Sequence, residues 1–203
     1  MSRLVLVLAQ LALVCCATLA QASPIIYTEQ ATGSGSLGPS VFSNALVTIT
    51  FTGDTINVQQ LPFGFSNGVG TSTVNISGIG TAVFTNTMQV FVGPQNNGPL
   101  PPAAGIAQNY GPIGDVLITV NPVFASYDLS TPIGPITGPP SFDASIPITP
   151  TNLGDFSLTS AGNSTFTATT GVAPVPEPGS GTLLAFGSLA IFSYCRLRTR
   201  ADA

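Results

Sequence analysis

Between residues 4 and 195 the chain contains no Arg, Lys or His; its four bases are Arg3, Arg196, Arg198 and Arg200. A fold built from that stretch must draw its polar surface from Ser, Thr, Asn and Gln. Its stability must come from apolar burial and from hydrogen bonds among Ser, Thr, Asn, Gln and the backbone. The material for a core is present, since 44% of the residues are hydrophobic and only 6% are charged, which argues against disorder of the highly charged kind. With no basic patch to neutralise phosphates, a nucleic-acid partner is excluded. The three cysteines, Cys15, Cys16 and Cys195, lie in the terminal apolar segments. The body therefore carries no disulfide, zinc-thiolate site or cysteine nucleophile.

The two ends read as addresses. Arg3 precedes an apolar stretch, Leu4 to Ala20, that ends in Ala20-Gln21-Ala22 before Ser23-Pro24. This is the charged, apolar and small-residue order of a secretory signal peptide, with Ala20 and Ala22 fitting the narrow pocket of signal peptidase and Ser23 expected as the new N-terminus. At the other end Val175-Pro176-Glu177-Pro178-Gly179-Ser180 leads into an apolar run, Thr182 to Cys195, and then Arg196-Leu197-Arg198-Thr199-Arg200. A helix over 179–195 would span roughly 26 Å, slightly short of a hydrocarbon core of about 30 Å, a gap that snorkelling arginines can close. Arginines after the run and none before it put the C-terminus in the cytoplasm and the body outside. Pro176 and Pro178 hold Val175 and Glu177 in extended backbone, accessible just outside the membrane.

This tail resembles the PEP-CTERM protein-sorting signal of bacteria, in which motif, helix and basic cluster occur in that order. The same kind of segment is also called an ice-binding protein C-terminal domain, a label that does not establish an activity. The resemblance implies recognition by an exosortase through Pro176, Glu177 and Pro178, with Val175 as the usual preceding residue, followed by removal of the helix and release or attachment at the cell surface. The stretch 31–38, with Phe42-Ser43-Asn44-Ala45 and Phe51-Thr52-Gly53-Asp54-Thr55 after it, is similar to the opening of other PEP-CTERM ectodomains. The expected organisation is a signal peptide at 1–22, an ectodomain at 23–174 and a sorting signal at 175–203, with the motif at 175–178, a single transmembrane helix at about 179–195 and the basic cluster at 196–200.

The body is long enough for one sizeable core. The clearest strand is Ala45 to Thr52, where Val47, Ile49 and Phe51 alternate with Thr48, Thr50 and Thr52, a period of two with one apolar face. The alternation continues over Thr55 to Leu61, and further strands are expected at 25–30, 72–77, 81–85, 88–92, 115–120, 123–128, 142–148, 155–159 and 164–170. Short strands separated by Gly, Pro and Asn predict an all-β, antiparallel sandwich or jelly-roll. Residues 93–114 and 130–141 are rich in Pro and Gly and read as exposed loops.

Gly33-Ser34-Gly35-Ser36-Leu37-Gly38 matches the dinucleotide-binding pattern, but no helical pattern follows it. A flexible or bulged opening segment is the expectation. Gly64-Phe65-Ser66-Asn67-Gly68 matches the nucleophile elbow of hydrolases, yet the chain has neither His nor Lys to act as base, so an Asn-Gly loop is expected instead. The body's acids are Glu29, Asp54, Asp115, Asp128, Asp143 and Asp155. Three of the aspartates follow a glycine, which suits turns, and none lies in a dense calcium-binding loop, so no metal site is assigned. No pairing of carboxylates for glycoside hydrolysis is evident, Glu29 being the only body glutamate. With six acids and no base, the body should carry about minus six at neutral pH and stay soluble. Thr48, Thr50 and Thr52, and again Thr165, Thr167 and Thr169, form threonine rows that could bind ice or carbohydrate if several lay side by side.

These features predict a non-enzymatic, exported surface or extracellular-matrix protein without cofactor. Its partners would be signal peptidase, exosortase, the membrane during sorting and exopolysaccharide. The competing expectation is a cell-surface ligand-binding module for glycan, calcium or ice, which aligned threonine rows would favour.

Overall fold

The computed structural model describes residues 23–93, 101–108, 114–142 and 149–171. The described residues are mostly strand, arranged in two antiparallel sheets. In chain order, β1 (Pro24–Leu37) and β2 (Ser40–Asp54) form a long hairpin, and β3 (Gln59–Leu61) and β4 (Gly64–Asn67) a short one. Then follow β5 (Gly70–Ile76), β6 (Gly80–Val83), β7 (Met88–Gly93), β8 (Ala103–Gln108), β9 (Asp115–Val120), β10 (Ile133–Gly138), β11 (Pro140–Ser141), β12 (Thr149–Thr151) and β13 (Gly154–Thr170). The first sheet runs β10-β13-β1-β2-β5-β6 with β12 on β13, and the second runs β11-β9-β8-β7-β4-β3.

Strict alternation decides which face each strand buries. On β1, Ile25, Tyr27, Glu29 and Ala31 point inward; on β2, Val47, Ile49 and Phe51 do; on β7, Met88, Val90 and Val92 do. These side chains form one core shared by the two sheets. Aromatic rings fill it: Phe166 meets Phe124 edge-on at 5.5 Å, and Phe84 meets Phe156 edge-on at 6.0 Å, the geometry that ring quadrupoles favour. The run β10–β11 switches sheets, pairing first with β13 and then with β9.

The strand expected at 123–128 is instead a 3₁₀ turn, Pro122–Ser126, in which the Asn121 side chain accepts a hydrogen bond from the Val123 amide. Pro122 presets the helical φ at the first position. Phe124 and Tyr127 are buried while Val123, Ala125 and Ser126 are exposed, a period of three that an alternation reading misses. Likewise Asp54 caps a 3₁₀ turn at Thr55–Asn57, leaving only Gln59–Leu61 of the expected strand 55–61.

Both expected loops contain strands. Within 93–114, β8 is buried along all six residues; its Ala and Gly give little β signal, yet a central strand covered on both faces needs small side chains. A Cβ on Gly105 would lie 2.5 Å from the Ile118 Cα. Within 130–141, β10 accommodates Pro135 because it is an edge strand and its register shifts between Ile133 and Ile136. The expected strands 155–159 and 164–170 are one strand, β13. Of the expected strand 142–148, residues 143–148 lie outside the described residues.

Candidate functional site

The outward face of the first sheet collects the threonine rows. Thr167, Thr28, Thr50 and Thr73 stand abreast on β13, β1, β2 and β5. One step along the strands the row reads Thr169, Ile26, Thr52 and Thr71; one step the other way it reads Thr137, Thr165, Gln30, Thr48, Asn75 and Thr81. Neighbours are about 4.8 Å apart across strands and roughly 6.7 Å apart along them. The last row is bonded to itself, through Thr137 and Thr165 at 2.9 Å, Gln30 and Thr48 at 3.1 Å, and Asn75 and Thr81 at 2.6 Å. The threonines of the other two rows have no side-chain hydrogen-bond partner among the described residues. None of the three rows contains a charge. The rows within a strand are legible in the sequence; pairing of residues 6 to 143 positions apart made them a grid.

Beneath that face lies Glu29, fully buried on β1. Its Oε1 is hydrogen-bonded to the Thr119 hydroxyl of β9, Thr119 to the Ser164 hydroxyl of β13 at 2.7 Å, and Ser164 to the Ile118 carbonyl at 3.2 Å. Oε2 has no partner. Burial pushes this carboxyl up to about 8, outweighing the opposing effect of the Thr119 and Ser164 hydroxyls. Burial therefore favours the un-ionised form of this carboxyl, which in that form adds nothing to the expected charge of about minus six. The signal for this was legible, because Glu29 occupies an inward position of the β1 alternation.

The opposite outer face, on the second sheet, is apolar. A groove of about 670 Å³ there is lined by Leu61, Phe63, Phe91, Ile118 and Val120, with Asp115 at its border.

The aspartates are dispersed. Asp54 accepts from the Ile56 amide, and Asp128 from the Ser130 amide and hydroxyl, as turn residues do. Among the described residues no three metal-ligating side chains meet. The glycine-rich opening is a bulged stretch of β1 with register shifts between Ala31 and Gly33 and between Ser34 and Gly35, and a Cβ on Gly35 would lie 2.0 Å from the Ser157 carbonyl. Its glycines allow two strands to approach, with no helix after them. Ser66 lies within β4 rather than on a loop, and the turn is confined to the residues after Asn67, whose side chain accepts from the Val69 amide.

Of the expected site residues only Ser23 is described; it is exposed, and its carbonyl accepts from the Thr55 amide at 3.2 Å. Ala20, Ala22, Val175, Pro176, Glu177, Pro178, Arg196, Arg198 and Arg200 lie outside the described residues. Among those described, no helix is long and apolar enough to cross a membrane. No protein-family model, no curated protein and no solved structure matches the chain.

Proposed function

We propose that the chain is an exported cell-surface or extracellular-matrix protein, sorted by an exosortase through its PEP-CTERM-like tail, whose β-sandwich body binds neutral exopolysaccharide through the threonine face. The observation that carries the binding reading is the grid: a row of four unclaimed hydroxyls in register across four strands, beside a second row of three in which Ile26 takes the β1 position. The signal-peptide pattern and the order of motif, apolar run and basic cluster support the sorting.

Hydroxyls, methyls and amides on this face suit binding rather than turnover, since none moves a proton at neutral pH. A hydroxyl gains little by exchanging water for a sugar, on the order of 1 kcal/mol per hydrogen bond. Only a repeating ligand that engages many at once is held, which favours a polymer over a small sugar. The body's acids disfavour a polyanion, so a neutral chain fits. Sheets twist by about 20° per strand; a flexible polymer follows such a surface, whereas a flat crystal face does not.

The test is co-sedimentation of the full-length protein with an insoluble neutral polysaccharide. Replacing Thr28, Thr50 and Thr73 together by Val keeps the branched shape and removes the hydroxyls, and it should abolish co-sedimentation while leaving the fold intact. Unchanged binding by that variant overturns the reading. Uptake into growing ice without polysaccharide binding replaces it with the ice-binding alternative.

A further inference from the structure

Three hydrogen-bonded contacts link Glu29 to Thr119, Thr119 to Ser164, and Ser164 to the Ile118 carbonyl. Thr119 and Ser164 bring one hydroxyl proton each, and the terminal carbonyl brings none. Three contacts need three protons. If Ser164 donates to Ile118 and Thr119 donates to Ser164, the remaining proton must be the carboxyl proton of Glu29, donated to Thr119. An ionised Glu29 would take the Thr119 proton and leave one contact of the chain unmade.

The surroundings agree with that count. Glu29 and Ser164 belong to the first sheet and Thr119 to the second, so the chain of bonds crosses the core. Residues 4–195 contain no Arg, Lys or His, so no cationic side chain of the body can meet a carboxylate there. The titratable groups on the strands packed against Glu29 are Tyr27, Asp54, Asp115 and Asp155. Tyr27 gives its proton to Leu129, Asp54 and Asp155 lie at strand ends, and Asp115 borders the outer groove. The orphaned Oε2 is tolerable as the carbonyl oxygen of an acid and costly as half of an anion.

We propose that Glu29 is a proton-operated fastener between the two sheets: as a carboxylic acid it completes all three contacts of the hydrogen-bond chain to β9, and loss of its proton puts an anion with one unpartnered oxygen into the core and leaves one of those contacts unmade. The fastener does not depend on what the threonine face binds. Thr28 and Gln30 flank Glu29 on β1, so if the face binds polysaccharide, release would also loosen the centre of that surface.

The experiment is infrared spectroscopy and thermal unfolding of the full-length chain from pH 5 to pH 9, beside Glu29→Gln, whose amide donates to Thr119 without titrating. The native protein should show the carbonyl band of an un-ionised carboxylic acid at pH 6.5 that fades above pH 8, and its Tm should fall on the order of 10 °C over the range. Glu29→Gln should lack the band and show a smaller fall. Absence of the band from the native protein at pH 6.5 overturns the proposal without reference to the variant. So does a Glu29→Gln variant whose Tm falls with pH as steeply as the native one.

Discussion

The Tyr27 phenol donates to the Leu129 carbonyl at 2.6 Å, a buried hydrogen bond between residues 102 positions apart. Leu129 is buried with φ at 64°, a left-handed conformation that L side chains seldom adopt. The bond anchors that bend to β1 and places Phe124 and Tyr127 against Phe166. Burial holds the phenols of Tyr27 and Tyr127 above their ordinary value, so both stay donors through neutral pH. Tyr27→Phe leaves the carbonyl buried and should cost about 1–3 kcal/mol, read as a lower urea midpoint at unchanged slope. Tyr127→Phe, whose partner is the part-buried Thr131 carbonyl, should cost less.

The close approach of β1 and β13 sets a second expectation. A Cβ on Gly35 would meet the Ser157 carbonyl at 2.0 Å, whereas one on Gly78 would meet nothing within 4 Å, although Gly78 has φ at +85°. Gly78→Ala should therefore cost only backbone strain, about 1–3 kcal/mol. Gly35→Ala must push two paired strands apart and should destabilise more. Urea denaturation of the two variants side by side checks the order.

Stability should depend on pH through Glu29 in a direction opposite to that of an ordinary surface carboxylate. Unfolded, Glu29 titrates near 4.5; folded, near 8. Below the lower value both states hold the proton and the contribution is complete. Between the two values the unfolded chain has released a proton that the folded one keeps, so stability falls as pH rises, by at most about 1.4 kcal/mol per pH unit. Above the upper value the contribution has been lost. Denaturant titrations at pH 5, 6.5 and 8 should show the midpoint decreasing in that order, and an increasing midpoint would contradict it.

The sorting signal makes its own expectation. Glu177→Gln keeps the shape of the motif and removes its charge, while Pro178→Ala keeps the charge and frees the backbone; both should slow processing in an exosortase-containing host. Replacing Arg196, Arg198 and Arg200 together should disturb orientation or retention first. A size-shift assay of the tagged chain in hosts with and without the enzyme reads all three. Identical processing in both hosts would contradict the assignment, and N-terminal sequencing should find Ser23 first.

What the sequence determined by itself was the kind of fold and the terms of its stability. The alternation of Val47, Ile49 and Phe51 with threonines dictated a half-buried strand, and the absence of cationic side chains from the body dictated that its polar surface come from Ser, Thr, Asn and Gln. Its local patterns erred where a residue's meaning depends on what lies across from it. Ala103–Gln108 looked like loop because small residues carry little intrinsic β preference; on a central strand buried along all six residues, small side chains are what packing on both faces requires. Val123 to Asp128 looked like strand because Val, Phe and Tyr favour one, but Pro122 and the Asn121 cap set a tighter turn. Only the tertiary structure could place Thr28 beside Thr50, Thr73 and Thr167, or bring Glu29 to Thr119 and Ser164. Those contacts join residues 22 to 139 positions apart, and strand order and register, which no local pattern encodes, decide which of them meet.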